Sequence, residues 1–70
     1  MDLTRFKAKG FRTFRIEKDG FGGWDLIGMG EYPDGVLAGQ WRRGVLKSYS
    51  TLEEAVKDNT GVEVDKEYSS

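Results

Sequence analysis

Along Phe11-Arg12-Thr13-Phe14-Arg15-Ile16-Glu17-Lys18 apolar and polar side chains alternate with a period of two, the signature of a half-buried strand. On a regular pleat Phe14 and Ile16 share one face, expected in the core, and Phe11, Thr13 and Arg15 take the other. Asp19-Gly20-Phe21-Gly22-Gly23 combines a turn dipeptide with glycines that accept positive φ, so it reverses the chain as a hairpin loop. The second strand is expected over 24–32, where Trp24, Leu26, Gly28, Gly30 and Tyr32 alternate with Asp25, Ile27, Met29 and Glu31. Glycines at 28 and 30 leave room for a large ring or a close backbone, or mark bulges. Tyr32-Pro33-Asp34-Gly35 is the strongest turn signal, because Pro presets the first central φ and Asp-Gly suits the remaining turn positions. A third strand is expected over 36–43, with Leu37, Gly39 and Trp41 on one face and Val36, Ala38, Gln40 and Arg42 on the other. Gly44 breaks or bends it. Val45 to Tyr49 either continues that strand past a bulge or pairs back as a fourth, and periodicity leaves both open.

At Ser50-Thr51-Leu52-Glu53 the period becomes helical, and Ser50 with Glu53 has the spacing of a capping box. The helix is expected over about residues 51–59, with Leu52, Ala55 and Val56 on its apolar face and Gly61 as the left-handed residue beyond its end. Val62 to Asp65 suits a short edge strand, and residues 66–70 a frayed tail. Residues 1–10 fit a basic edge strand or a flexible arm equally well. The expected fold class is α+β: a three- or four-stranded antiparallel sheet with one short helix packed on one face.

Seventy residues suffice for one small domain with a thin core. The chain contains neither Cys nor His, which removes zinc spacings, thiol nucleophiles, disulfides and imidazole bases, so an enzyme is the minority reading. Gly20-Phe21-Gly22-Gly23 lacks the Gly-Lys-Ser/Thr ending of a phosphate loop, and the carboxylates lack calcium-loop spacing; no cofactor and no metal is expected. No apolar run approaches bilayer length and no signal segment opens the chain, so the expectation is a cytoplasmic protein without a membrane partner.

Charge is uneven although the net is only −1. Residues 1–18 hold six basic side chains against two acidic, and residues 50–70 reverse that ratio. This describes either a solvated surface or a bipolar one that orients a partner. Aromatic and cationic residues interleave over the strands, and the expected partner-binding set is Arg12, Arg15, Trp41, Arg42, Arg43, Lys47 and Tyr49. Trp, Tyr and Arg are the types enriched at protein–protein hot spots, and rings beside cations also stack bases and track phosphates. Trp24 and Trp41 are equally readable as core. An exposed edge strand would permit a homodimer by sheet extension.

Gly22-Gly23-Trp24, the Pro33 turn and Thr51-Leu52-Glu53-Glu54-Ala55 followed by Asn59 resemble the HicB antitoxin family, in which a Gly-Gly-aromatic strand start, a Pro turn and a Thr-Leu-Glu-Glu-Ala helix recur. The chain differs by carrying Gly39-Gln40-Trp41-Arg42-Arg43-Gly44 before the helix. Tyr49-Ser50-Thr51-Leu52-Glu53-Glu54-Ala55 is also similar to the helix start of phage integrase arm-type DNA-binding domains, where the sheet lies in a DNA groove. The first resemblance implies a small antitoxin or inhibitor from a phage or plasmid that binds a toxin, or a host or defence protein complex. The second implies a nucleic-acid binder using Arg12, Arg15, Arg42, Arg43 and Lys47.

Overall fold

The structure, a computed structural model, describes residues 2–65. Its elements in chain order are α1 (Thr4–Lys7), β1 (Phe11–Lys18), β2 (Trp24–Glu31), β3 (Trp41–Tyr49), α2 (Leu52–Asp58) and β4 (Glu63–Val64). The strands form one sheet in the order β3-β2-β1-β4, antiparallel except for the β1–β4 pair. This is the expected α+β class, with a mixed sheet and a second small helix. The expected tail at 66–70 lies outside the described residues.

The β1–β2 hairpin closes on Asp19, whose carboxylate accepts from the backbone N–H of Phe21 at 2.6 Å and of Gly23 at 3.0 Å. Between β2 and β3 the chain makes a longer excursion than expected. Val36 to Gln40, expected as strand, form a loop, because Gly35 and Gly39 adopt φ of +81° and +85°. Tyr32 closes that loop by accepting from Gly39 N–H and donating to the Gln40 carbonyl, each at 3.0 Å. The third strand therefore begins at Trp41 and runs unbroken through Gly44 to Tyr49. Of the two routes left open for residues 45–49, continuation of the same strand is the one taken, but Gly44, expected to break or bend it, pairs in register with Gly28 and the bulge falls two residues later. The extra residue is Leu46: Leu26 pairs with Lys47 and Ile27 with Val45.

A second irregularity, at Arg12, lies where β1 pairs Phe11 with Gly30 but Thr13 with Met29. It turns Phe11 onto the face shared by Phe14 and Ile16, opposite to its expected side, and buries it to 4 % exposure. A Cβ at Gly28 would meet the Phe11 ring at 2.8 Å and Leu46 at 2.9 Å, and one at Gly44 would lie 3.9 Å from the same ring. The cross-strand pair Gly28 and Gly44 thus makes a trough that Phe11 fills. Gly30 serves the other purpose expected of it, close backbone approach: a Cβ there would sit 2.0 Å from the Gly10 carbonyl oxygen, which accepts from Glu31 N–H.

On this covered face Ile16, Leu26, Tyr49 and Ala55 form the core, with Leu52, Trp24 and Val64 packed around them. Trp24 therefore belongs to the core. The α2 cap is Thr51 rather than Ser50. Thr51 has extended backbone angles, and its hydroxyl accepts from Glu54 N–H at 3.2 Å. Two overlapping Ser/Thr-x-x-Glu boxes stand in the sequence, and the later one is used. The buried stripe of α2 runs through Leu52, Ala55 and Asn59, leaving Val56 exposed. Beyond α2 Gly61 takes the expected positive φ, +88°.

Residues 1–10 were expected as a strand or an arm, but 4–7 are helical. Lys7 N–H donates to the Leu3 carbonyl and Ala8 N–H to that of Thr4, and the Asp2 carboxylate accepts from Thr4 N–H. The alternation of Thr4, Phe6 and Ala8 has no strand partner to exploit it. Instead Phe6 packs edge-on against Phe11, ring centres 6.3 Å apart, and Leu3 reaches the core.

Candidate functional site

Because side chains alternate across a sheet, the face opposite α1 and α2 collects the odd-numbered positions of β2 and their cross-strand partners. Cross-strand pairing gives Arg15, Ile27 and Val45 as its central row, with Thr13, Met29 and Arg43 beside it. Ile27 is only 2 % exposed although no element lies over it among the described residues. Its cover is polar and local. The Arg43 guanidinium reaches from β3 across β2 to the Glu17 carboxylate on β1, at 2.6 Å, and so roofs the Ile27 row. Arg15 pairs with Asp65 at 3.6 Å and Arg12 with Glu31 at 3.7 Å, while Ser48 donates to Asp25 at 2.8 Å.

Two exposed apolar side chains share the face of this roof. Trp41 is 66 % and Val45 56 % exposed, two positions on either side of Arg43 along β3. Val36, 99 % exposed, stands in the loop that leads into Trp41.

The expected partner-binding set divides between the faces. Arg15, Trp41 and Arg43 come together on the open face, and Arg12 stands at its rim beside Glu31. Arg42, Lys47 and Tyr49 do not join them. Arg42 lies between the rings of Phe11 and Tyr32, at 4.3 and 4.7 Å from their centres, and donates to the Lys9 carbonyl at 3.1 Å. It clamps α1 and the Tyr32 loop to the sheet. Lys47 is carried to the covered face by the Leu46 bulge, where it meets Asp58 at 3.4 Å and lies over the Tyr49 ring.

Tyr49 itself is buried. Its hydroxyl donates to Asp58 and accepts from Asn59 Nδ2 at 2.9 Å, and Asn59 also donates to the Ala55 carbonyl. This triad ties β3 to the last turn of α2. The Tyr49 hydroxyl bond, aided by Lys47, holds the Asp58 carboxyl below the ordinary range. Burial, and then the hydrogen bond to Asp58, push the Tyr49 phenol above its ordinary value. Beside the triad a cleft of about 490 Å³ opens between Lys47, Ser50 and Lys57.

Val45 and Met29 were absent from the expected set; Val45 because residues 45–49 had no assigned face, Met29 because an isolated Met in a strand carries no signal of its own. Among the described residues no group of three or more His, Cys, Asp or Glu is placed to hold a metal ion. No helix among them is long and apolar enough to cross a membrane. Comparison of the chain with protein-family models, with curated proteins and with solved structures gives no match.

Proposed function

We propose that the chain is a non-enzymatic protein-interaction module, a small inhibitor or antitoxin-like protein of phage or plasmid type. It acts in the cytoplasm on a protein target, a toxin or a host or defence complex. The observation that carries this reading is that Trp41 and Val45 are both exposed on an open sheet face, one on each side of Arg43 along β3, where the arginines already hold carboxylates. A docking partner gains apolar contact with Trp41 and Val45 at the centre, while Arg15 and Arg43, braced by Asp65 and Glu17, serve as oriented donors at the margin. Bracing lowers the side-chain entropy lost on binding.

The same ion pairs weigh against a nucleic-acid partner. Arg12, Arg15 and Arg43 would have to exchange carboxylates for phosphates on a chain of net charge −1. The test is affinity capture from nuclease-treated lysate with the parent chain, Trp41→Ala and Arg43→Ala. A discrete protein complex held by the parent and weakened about tenfold or more by Trp41→Ala is the expected result. Retention indifferent to both substitutions overturns the reading. Recovery of nucleic acid alone, lost at moderate salt, replaces it with the phosphate-binding one.

A further inference from the structure

The loop from Pro33 to Gln40 is exposed at every position, yet its backbone bonds to itself. Besides the two bonds that Tyr32 makes at its neck, Ala38 N–H donates to the Gly35 carbonyl at 3.2 Å and Gln40 N–H to that of Leu37 at 2.9 Å. The neck is clamped in turn. Arg42 lies over the Tyr32 ring, and a Cβ at Gly10 would come within 2.9 Å of Pro33 Cδ, so the loop starts hard against the turn after α1. Loops ordinarily run mobile over a surface; this one is held in one shape and carries Val36 and Leu37, 99 % and 43 % exposed, midway along it. Neither packs on the core, so the fold itself does not call for apolar side chains there.

We infer that this loop is the inserted element of the interaction: it enters a concave apolar pocket of the partner protein, which holds Val36 and Leu37 and sets a cation at its rim for Asp34. The inference rests on the interaction-module reading and names the shape and chemistry of its partner. Three features choose this occupant. Residues 33–40 carry one carboxylate, Asp34, and no cation, which suits neither the phosphates of a nucleic acid nor an anionic lipid surface. Two clefts of this chain, one between Lys47, Lys57 and Asp58 and one of about 400 Å³ between Lys7, Arg12 and Glu31, are walled by charged side chains, so a second copy offers the valine and leucine no apolar seat in either. A convex loop already fixed in shape loses little entropy on entering a cavity, and because it runs directly into Trp41 the same partner reaches the open face.

The test is photocrosslinking of the full chain in nuclease-treated lysate, with a benzophenone-bearing phenylalanine in place of Val36 in one form and of the exposed Glu53 on α2 in the other. The expected result is that position 36 joins one protein, at a peptide rich in apolar residues with Lys or Arg close by, and that position 53 does not join it. Val36→Asp should weaken capture of that protein about tenfold or more while Val36→Ile keeps it. Neither should move the urea midpoint, since the side chain already stands in water. Joining of position 36 to a second copy of this chain, to lipid or to nucleic acid overturns the inference. So does equal joining from positions 36 and 53, or no joined protein at position 36. If Trp41→Ala weakens capture while Val36→Asp does not, the interaction module stands and loop insertion falls. If neither substitution changes capture, both fall.

Discussion

At Gly28 and Gly30 a single methyl group decides whether the sheet can close. A Cβ at Gly28 meets side-chain atoms of Phe11 and Leu46, which can shift; one at Gly30 meets the Gly10 carbonyl and the Phe11 backbone, which cannot. Gly28→Ala is therefore expected to cost about 1–3 kcal/mol and Gly30→Ala more, measured as the shift of the urea midpoint. Tyr49 is the second sensitive residue. Tyr49→Phe removes the hydroxyl that serves Asp58 and Asn59, leaving a buried amide short of a partner, for an expected loss of about 1–3 kcal/mol. The pH dependence comes from the shifted groups. Asp58 has a depressed folded pKa, so its contribution is present above the unfolded carboxylate value and is lost as pH falls through the folded one. Tyr49 has a raised folded pKa, so its contribution is present below the unfolded phenol value and is lost as pH rises through the folded one. Stability curves of the parent chain and Tyr49→Phe should converge at both extremes and differ most between them. Trp41→Ala, by contrast, should leave the midpoint within about 0.5 kcal/mol of the parent, since most of that ring already faces water. A large loss of stability there would mean that Trp41 is core.

Among the elements, α2 is held by its cap and by one stripe of contacts. Thr51→Ala should cost about 1 kcal/mol and Ser50→Ala much less, a comparison that thermal melts of the two variants would make directly. The two hairpins and α2 were legible, as α1 was not, because turn chemistry and a change of period are local: Asp19-Gly20, Pro33-Asp34-Gly35 and the Ser-Thr start each act within four residues. What was not legible depends on distant partners. Nothing near Arg12 or Leu46 in the sequence announces a bulge, yet each moves its neighbours to another face, Phe11 into the core and Lys47 toward α2. The start of β3 was misplaced because Leu37, Gly39 and Trp41 imitate a strand that the positive φ of Gly35 and Gly39 forbids. The candidate site inherits these shifts. Residue type alone pointed to Trp41, Arg43 and Arg15, which share the open face, and equally to Arg42, which lies instead in an aromatic cage built from Phe11 and Tyr32. It missed Val45, because a valine counts as surface only once its strand is known to be an edge.

For the whole molecule the balance between the two edges of the sheet matters most. One edge is the nine-residue β3 and the other is capped by the two-residue β4. Arg43 leans inward to Glu17 and Lys47 to Asp58, so replacing both by Thr should lower the urea midpoint by removing the cover over the Ile27 row and a brace on α2. The β4 seam carries a different consequence. The first three strands join neighbours through connecting loops, but β4 meets β1 by pairing Arg15 with Glu63 and Ile16 with Val64, and by a 2.8 Å bond from Asp65 N–H to the Ile16 carbonyl, so most of the chain lies between the partners. Contacts of such high order close late and open early. Hydrogen exchange should find the Asp65 amide trading its proton through a local opening, well before the amides of β2, whose exchange awaits unfolding of the entire sheet. The first breath of this fold is then the release of its C-terminal strand, which bares the far side of β1 while β3 stays in place.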